Sequence, residues 1–317
     1  MSKILLRSPR YEVHTNTSSA AIYAIMTLTV DSTTFTLRKD KDSNNRVVFE
    51  ISELCKDYYD IITDFGGNVS VTSSKVLNGA QITNITKWYN SSNAVVATDS
   101  TVTHDGFLGY HNSDVLVNME DDSLAQSNST IYLPTNTTGA VPYLADGNAT
   151  IRYVAIGATD TSVTIEDQVI TVKRLDPCKY TSIKMTFLNK YGAFQELYFD
   201  KKSVESVNTK RDFFERTFTK TSDGTDVVGT NHENKIVNVN SKRKLTLNTD
   251  YLDESMNEVF TEVLNSELVY IKIGSLDLPC NIVDSQLRFK TSVNDRLVNF
   301  TINVELAYNE INRLWEK

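Results

Sequence analysis

The sequence predicts a mostly β protein built as two β-sandwich-like domains, the second carrying one long amphipathic helix packed on antiparallel strands. Three observations predict it. Thr and Asn account for 36 and 28 of the 317 residues, about a fifth of the chain, and Thr favours strands as Asn favours turns. Short runs of alternating apolar and polar residues recur with turn residues between them, the pattern of strands with one buried face. A length of 317 residues and 35.7 kDa suits two domains of ordinary size, each able to bury a core.

Taken in order, 11–49 reads as successive strands, with a hairpin of 21–30 and 34–37 around Asp31-Ser32-Thr33. A short helix is expected over 51–59, where Ile51, Leu54, Cys55 and Tyr58 share a face and Ser52 is placed to cap it. Strands follow at 68–72, 81–89 and 93–98, the second alternating Ile82, Asn84 and Thr86 against Thr83, Ile85 and Lys87. From 103 to 150 turn chemistry dominates, as in Asp105-Gly106, Glu120-Asp121-Asp122 and Asp146-Gly147, so a long acidic loop insertion is expected. Strands resume at 151–156 and 163–174. Asp176-Pro177 then interrupts the chain, which sets the domains at 1–175 and 176–317.

The second domain opens with strands at 183–188 and 194–199 around the turn Asn189-Lys190-Tyr191-Gly192. Its polar stretch 220–244 holds Ser222-Asp223-Gly224-Thr225, a hairpin turn by composition. A helix is expected over about 250–265, because Leu252, Met256, Val259, Phe260, Val263 and Leu264 form one stripe. Asp253, Glu254, Glu258 and Glu262 fall on the opposite, solvent side. Strands at 268–273, 282–290 and 297–307 close the chain, the last with Val298, Phe300, Ile302, Val304 and Leu306 on one face.

The charge excludes several function classes. Net charge is −8 and pI about 5.1, opposite to the basic footprint of duplex recognition. The stretch 57–151 alone holds ten acids and two bases. No apolar run reaches the roughly 18 residues of a membrane span, so membrane insertion is not expected. The opening Met1-Ser2-Lys3-Ile4-Leu5-Leu6-Arg7 stops short of a secretory apolar segment, and the chain reads as leaderless and made in the cytoplasm. Cys55, Cys178 and Cys280 are too far apart for a metal knuckle and odd in number for a disulfide framework, so all three are read as buried thiols.

Catalytic and cofactor motifs are sought without result, so no catalytic, cofactor-binding or metal-ligating residue is assigned, and no cofactor. His104 and His111, with Asp105 and Asp114, have zinc-ligand chemistry, but read as solvent-exposed loop residues. His232-Glu233 lacks the second His of a zincin helix. Asp40-Lys41-Asp42-Ser43-Asn44 resembles a calcium loop, yet Asn45 and Ile51 stand where Gly and Glu are needed, which leaves a polar hairpin tip. No phosphate loop, dinucleotide glycine pattern or Gly-x-Ser-x-Gly elbow occurs. Asp121-Asp122 reads as solvated charge, and the sequons at Asn16, Asn68, Asn84, Asn128 and Asn148 as chance in an Asn- and Thr-rich chain. Lys242-Arg243-Lys244 is a solvated strand edge or turn, or the salt-bridge partner of an acidic neighbour.

Several segments together carry a resemblance: Arg7-Ser8-Pro9-Arg10-Tyr11, Asp105-Gly106-Phe107-Leu108-Gly109-Tyr110, Pro177-Cys178-Lys179-Tyr180, Asn189-Lys190-Tyr191-Gly192-Ala193-Phe194-Gln195 and the ending 292–308. They resemble the ring proteins of the tail barrel in crAss-like podoviruses, tailed bacteriophages of Bacteroidetes. The likeness spans most of the chain, with Leu108 departing from a middle segment richer in Gly and aromatics. It implies a structural virion protein of the tail, a subunit of a cyclic homo-oligomeric ring below the portal that helps form the conduit for genome and cargo. Neighbouring ring, portal or fibre proteins would be its partners, and passing DNA would be met only non-specifically. An acidic lumen would repel that DNA. Two other readings compete: a phage fibre or receptor-binding protein, which would show repeats and a trimeric stalk, and a carbohydrate-active or lectin-like module with Trp88-Tyr89 as platform. Interface contacts are expected to concentrate in 104–150 and in the strands and helix of the second domain.

Overall fold

A computed structural model describes residues 2–62, 69–111, 119, 123–145, 150–176, 179–215, 234–284 and 297–309. In chain order its first elements are β1 (Ser2–Leu5), β2 (Tyr11–Thr15), β3 (Tyr23–Val30), β4 (Thr33–Asp40), β5 (Arg46–Glu50), α1 (Ser52–Ile62), β6 (Val76–Asn78), β7 (Ala80–Tyr89), β8 (Val95–Thr98) and β9 (Val102–Phe107). The middle holds β10 (Thr130–Pro134), β11 (Gly139–Ala145), β12 (Thr150–Ile156), β13 (Ser162–Ile165) and β14 (Gln168–Leu175). The remainder runs β15 (Ile183–Leu188), β16 (Phe194–Phe199), β17 (Val204–Glu215), β18 (Asn234–Asn248), β19 (Leu252–Asp253), α2 (Met256–Leu264), β20 (Val269–Ile273), β21 (Leu276–Ile282), β22 (Leu297–Val298) and β23 (Thr301–Leu306). The protein is mostly β, as the composition predicts.

A six-stranded sheet in the order β1-β9-β7-β3-β4, with β8 also on β7, anchors the first half. Its chemistry follows the alternation in the sequence: Met26, Leu28 and Val30 of β3 and Ile82 and Trp88 of β7 are fully buried. The β3–β4 hairpin turns at Asp31, whose φ of +49° is left-handed and whose carboxylate accepts the Gln81 N–H at 2.9 Å. Helix α1 packs Ile51, Cys55 and Tyr59 onto the same core. Ser52 does not cap it. The Ile51 carbonyl accepts the first helical bond, from Cys55 N–H, while the Ser52 hydroxyl bonds Glu50 and accepts from Arg10 N–H.

The expected loop over 103–150 is instead largely strand where it is described. β9 joins the six-stranded sheet, β10 lies parallel to β14, and β11 pairs with β12. Pro142 obscured β11 in the sequence: lacking an N–H, proline is tolerated on an edge strand, and β11 is the edge of its sheet. The strand expected at 68–72 is irregular over 69–72, with Asn68 outside the described residues, and β6 follows at Val76–Asn78.

A seven-stranded sheet, β16-β15-β20-β21-β23-β18-β17, draws every strand from the second half of the chain. Val304, Ile302 and Leu306 point into its core, and α2 covers that face with Met256, Val259, Phe260 and Val263. The Phe260 ring stacks on Phe300 at 3.9 Å and meets Phe199 edge-on at 6.3 Å. Two expectations are corrected here. The long helix over 250–265 is a nine-residue helix, because Leu252 and Asp253 pair with Val298 and Leu297 rather than entering it. The strand over 297–307 is two strands, since Phe300 bonds Thr249 between them. Of 282–290, the part beyond 284 lies outside the described residues. Pro177 and Cys178, at the expected domain boundary, lie there too.

The halves meet where three of the singled-out segments converge. Arg7 N–H donates to the Gly109 carbonyl at 2.9 Å, and Tyr110 N–H to the Lys190 carbonyl at 2.8 Å. Gly109 is required by proximity, because a Cβ there would stand 2.3 Å from the Lys190 oxygen, and Gly192 by its φ of +81°. Leu188, Ala193 and Phe194 complete the first core from the second-half sheet.

Candidate interaction surface

β17 and β18 pair from Val204↔Thr246 to Glu215↔Asn234, but only 244–248 of β18 also pair with β23. Beyond that point, among the described residues, 207–215 and 234–243 pair only with each other, a two-stranded arm about 30 Å long at roughly 3.3 Å per residue. All twelve residues of β17 are exposed. The register assigns its faces. One face continues outward from core residues Leu247 and Leu245 as Val207, Val239, Phe213 and Ile236, interleaved with Glu205, Arg243 and Arg211, and Phe213 is 62% exposed. The other carries Lys210, Lys235, Lys242 and Lys244 around Phe214. A bulge between Asp212 and Phe213 leaves Val237 as the extra residue, 69% exposed.

An isolated two-stranded ribbon is marginal in water. Each large apolar side chain of the arm would contribute about 1.5–3 kcal/mol on full burial. Composition sets the arm apart electrically as well: 204–215 and 234–244 hold six basic and three acidic residues, net +3, so the rest of the chain carries −11. Lys242-Arg243-Lys244 lies here, on strand β18. Lys242 pairs with Glu305 at 2.7 Å and Arg243 with Glu205 at 3.1 Å.

At the arm's root opens a cleft of about 870 Å³. Its walls come from Ser70–Thr72 ahead of β6, Thr137 and Thr138 between β10 and β11, the start of β15, β16, and the turn after β20. Val71, Ile183, Tyr198, Leu245 and Ile273 supply its apolar lining. Two of its charges are matched internally, Lys184 Nζ lying 2.5 Å from Glu196 Oε1 while the Tyr198 hydroxyl donates to Glu196 Oε2 at 3.2 Å. Burial, with the Glu196 carboxylate beside it, pushes the Tyr198 phenol far up, so it stays a donor. Ser182 Oγ is buried in the wall without a hydrogen-bond partner among the described residues.

The histidines are not where the sequence placed them. His104 is not a loop residue; it is buried on β9, with Nδ1 2.5 Å from Ser2 Oγ and Nε2 3.2 Å from Glu12 Oε1. That contact, with Arg10 nearby, outweighs burial and holds the Glu12 carboxyl below the usual range. His111 N–H donates to Ser8 Oγ, and Asp114, Asp121, Asp122 and His232 lie outside the described residues. Among the described residues no group of three or more His, Cys, Asp or Glu could hold a metal ion. Asp40–Asn45 is the hairpin tip expected, with Asp42 accepting from Asn44 and Arg46 N–H. Trp88 cannot be a platform, since it is fully buried and donates to Asp99 at 3.1 Å. Of the five sequons, Asn84 and Asn128 are buried. Cys55 and Cys280 are buried thiols, which burial pushes up to about 12.

Two polar centres had no signal in the sequence. Asp99 accepts from His14 Nδ1 at 2.7 Å, which leaves Nε2 to accept the Thr86 hydroxyl at 3.2 Å. Hydroxyl, imidazole and carboxylate in this order are the connectivity of nucleophilic catalysis. Thr86 is fully buried in mid-strand, however, and the chain instead ties β2 to β7 and to the end of β8. The second centre is Glu262, assigned to the solvent side of its helix yet only 1% exposed. Ser127 Oγ donates to its Oε1, Lys190 N–H to its Oε2 at 3.3 Å, and Lys190 Nζ lies 3.8 Å away while bonded to Glu258. Burial raises the Glu262 carboxyl to about 7 against the opposing pull of Lys190.

Among the described residues no helix is long and apolar enough to cross a membrane. The chain matches no protein-family model, and comparison with curated proteins and with solved structures finds no match.

Proposed function

We propose that the chain is a structural virion protein, one subunit of an oligomeric ring in the barrel of a phage tail near the portal, forming part of the conduit for genome and cargo. The single observation that carries an assembly role is the arm. Its apolar face prolongs the face that buries the second core, yet Val207, Phe213 and Ile236 lie exposed. Such a surface fits a subunit that completes its core against another protein. The ring and the tail barrel come from the resemblance of the segments named above, and three of these segments share one seam in the fold. On this reading the two halves act as sandwich-like modules, neighbouring ring, portal or fibre proteins are its partners, and the acidic body keeps passing DNA from sticking.

Mass photometry and negative-stain electron microscopy of the purified chain over rising concentration test it. Closed rings of uniform size are expected. Compact trimers with a stalk would replace the reading with a fibre or receptor-binding protein, and a chain that stays monomeric at every concentration would refute self-assembly.

A further inference from the structure

We propose that the apolar face of the arm of one copy docks in the cleft at the root of the arm of the next copy. The inference rests on the ring reading above and adds the donor surface, the acceptor surface and their direction.

Four observations lead there. The cleft and the stripe are continuous, since Glu205 and Leu245 belong both to the arm's apolar face and to the cleft wall. A strand laid along one therefore runs into the other. The cleft suits an apolar occupant, because Lys184 and Glu196 already neutralise each other, Glu205 pairs with Arg243, and Lys272, the lining charge without an ion pair among the described residues, is exposed and can keep its water. Val71, Ile183, Tyr198, Leu245 and Ile273 give the cleft apolar surface that such an occupant would cover. Charge favours a second copy as the occupant: the arm is net +3 and the rest of the chain −11, so arm and body of two copies attract at long range.

The arm cannot serve itself. Phe213 and Ile236 lie eight residue pairs along the ribbon from Glu205 and Leu245 at the root, about 26 Å at about 3.3 Å per residue, too far along a paired ribbon for them to reach the cleft of their own copy. Donor and acceptor are thus different surfaces on each copy, and repeated use of a head-to-tail contact closes into a ring when the rotation allows.

Two exposed double variants test this, with thermal melting as the control for folding. Phe213→Asp with Ile236→Asp spoils the donor, and Thr138→Arg with Thr181→Arg fills the acceptor. Each alone is expected to shift the wild-type assembly to monomers of 35.7 kDa. An equimolar mixture restores one good interface and is expected to give dimers at twice that mass, and nothing larger. If either variant assembles as the wild type does, the docking inference falls while the ring reading stands. A mixture that stays monomeric also overturns it, since an intact arm and an intact cleft on different copies would then have failed to join. If duplex DNA shifts with the wild type and the shift is lost in Lys210→Glu with Lys235→Glu, while assembly is unaffected, the arm is a nucleic-acid ribbon and the inference is wrong. A wild-type chain that never assembles removes both readings.

Discussion

Glu262 makes the stability of the fold fall as pH rises through the neutral range. Its folded pKa is about 7, raised chiefly by burial, whereas an unfolded glutamate titrates near 4.3. Between those values the native chain keeps a proton that the unfolded chain has released. The native state binds more protons there, so the unfolding free energy declines from about pH 4.3 to about pH 7 and levels off above. At about 1.4 kcal/mol per pH unit, the roughly 2 units between pH 5 and the folded pKa amount to about 3 kcal/mol. Glu262→Gln keeps the shape and an acceptor for Ser127 and Lys190 but cannot ionise. Urea unfolding followed by far-ultraviolet circular dichroism, for both proteins at pH 5 and pH 8, isolates the effect as a double difference. The variant is expected to gain about 3 kcal/mol on the wild type between the two pH values, about 1 M in midpoint for a slope near 3 kcal/mol/M. Parallel pH dependences in the two proteins would refute the reasoning.

Other residues give simpler expectations. Phe260→Ala removes a ring that contacts both Phe300 and Phe199 in the second core, and should cost about 3–5 kcal/mol by denaturant titration. Gly109→Ala places a Cβ 2.3 Å from the Lys190 oxygen, so strain of about 1–3 kcal/mol is expected, read as a lowered melting temperature. Cys55 and Cys280 are buried, with thiols pushed up to about 12. A disulfide-exchange reagent should therefore modify them only at the rate of unfolding, and fast modification of either in the native protein would contradict its burial.

How far the fold was legible depended on whether a segment's burial is decided by its own residues. Val298, Phe300, Ile302, Val304 and Leu306 alternate and are all buried, and the β3–β4 hairpin turns where Asp31-Ser32 indicated. β17 gives no strand signal in the sequence because Val204–Glu215 mixes charge and apolar residues without a core to face, and a strand exposed on both sides shows only weak alternation. The apolar stripe overextends helix α2 because Leu252 fits it equally well as a strand residue, and only its distant partner Val298 decides between them. Glu262 was assigned to solvent by helical spacing alone. The hydroxyl and amide that accept its burial come from Ser127 and Lys190, 135 and 72 residues away in sequence. The Thr86, His14 and Asp99 chain was hidden for the same reason, its members meeting only after β2, β7 and β8 are assembled.

Strand β1 pairs in parallel with β9, Ser2 opposite His104 and Leu5 opposite Phe107. A parallel neighbour cannot be reached by a tight turn, and here it emerges some hundred residues after the strand that needs it. At about 5–20 residues per second of synthesis, β1 waits for about 5–20 s before β9 exists. In that interval β3, β4 and β7 can already have formed their hairpin and its neighbour, leaving the edge of β7 open. β1, made before the other strands of its sheet, is thus the last of them to dock. A slowing of translation between β7 and β9 would lengthen the time in which that open edge can capture another nascent chain.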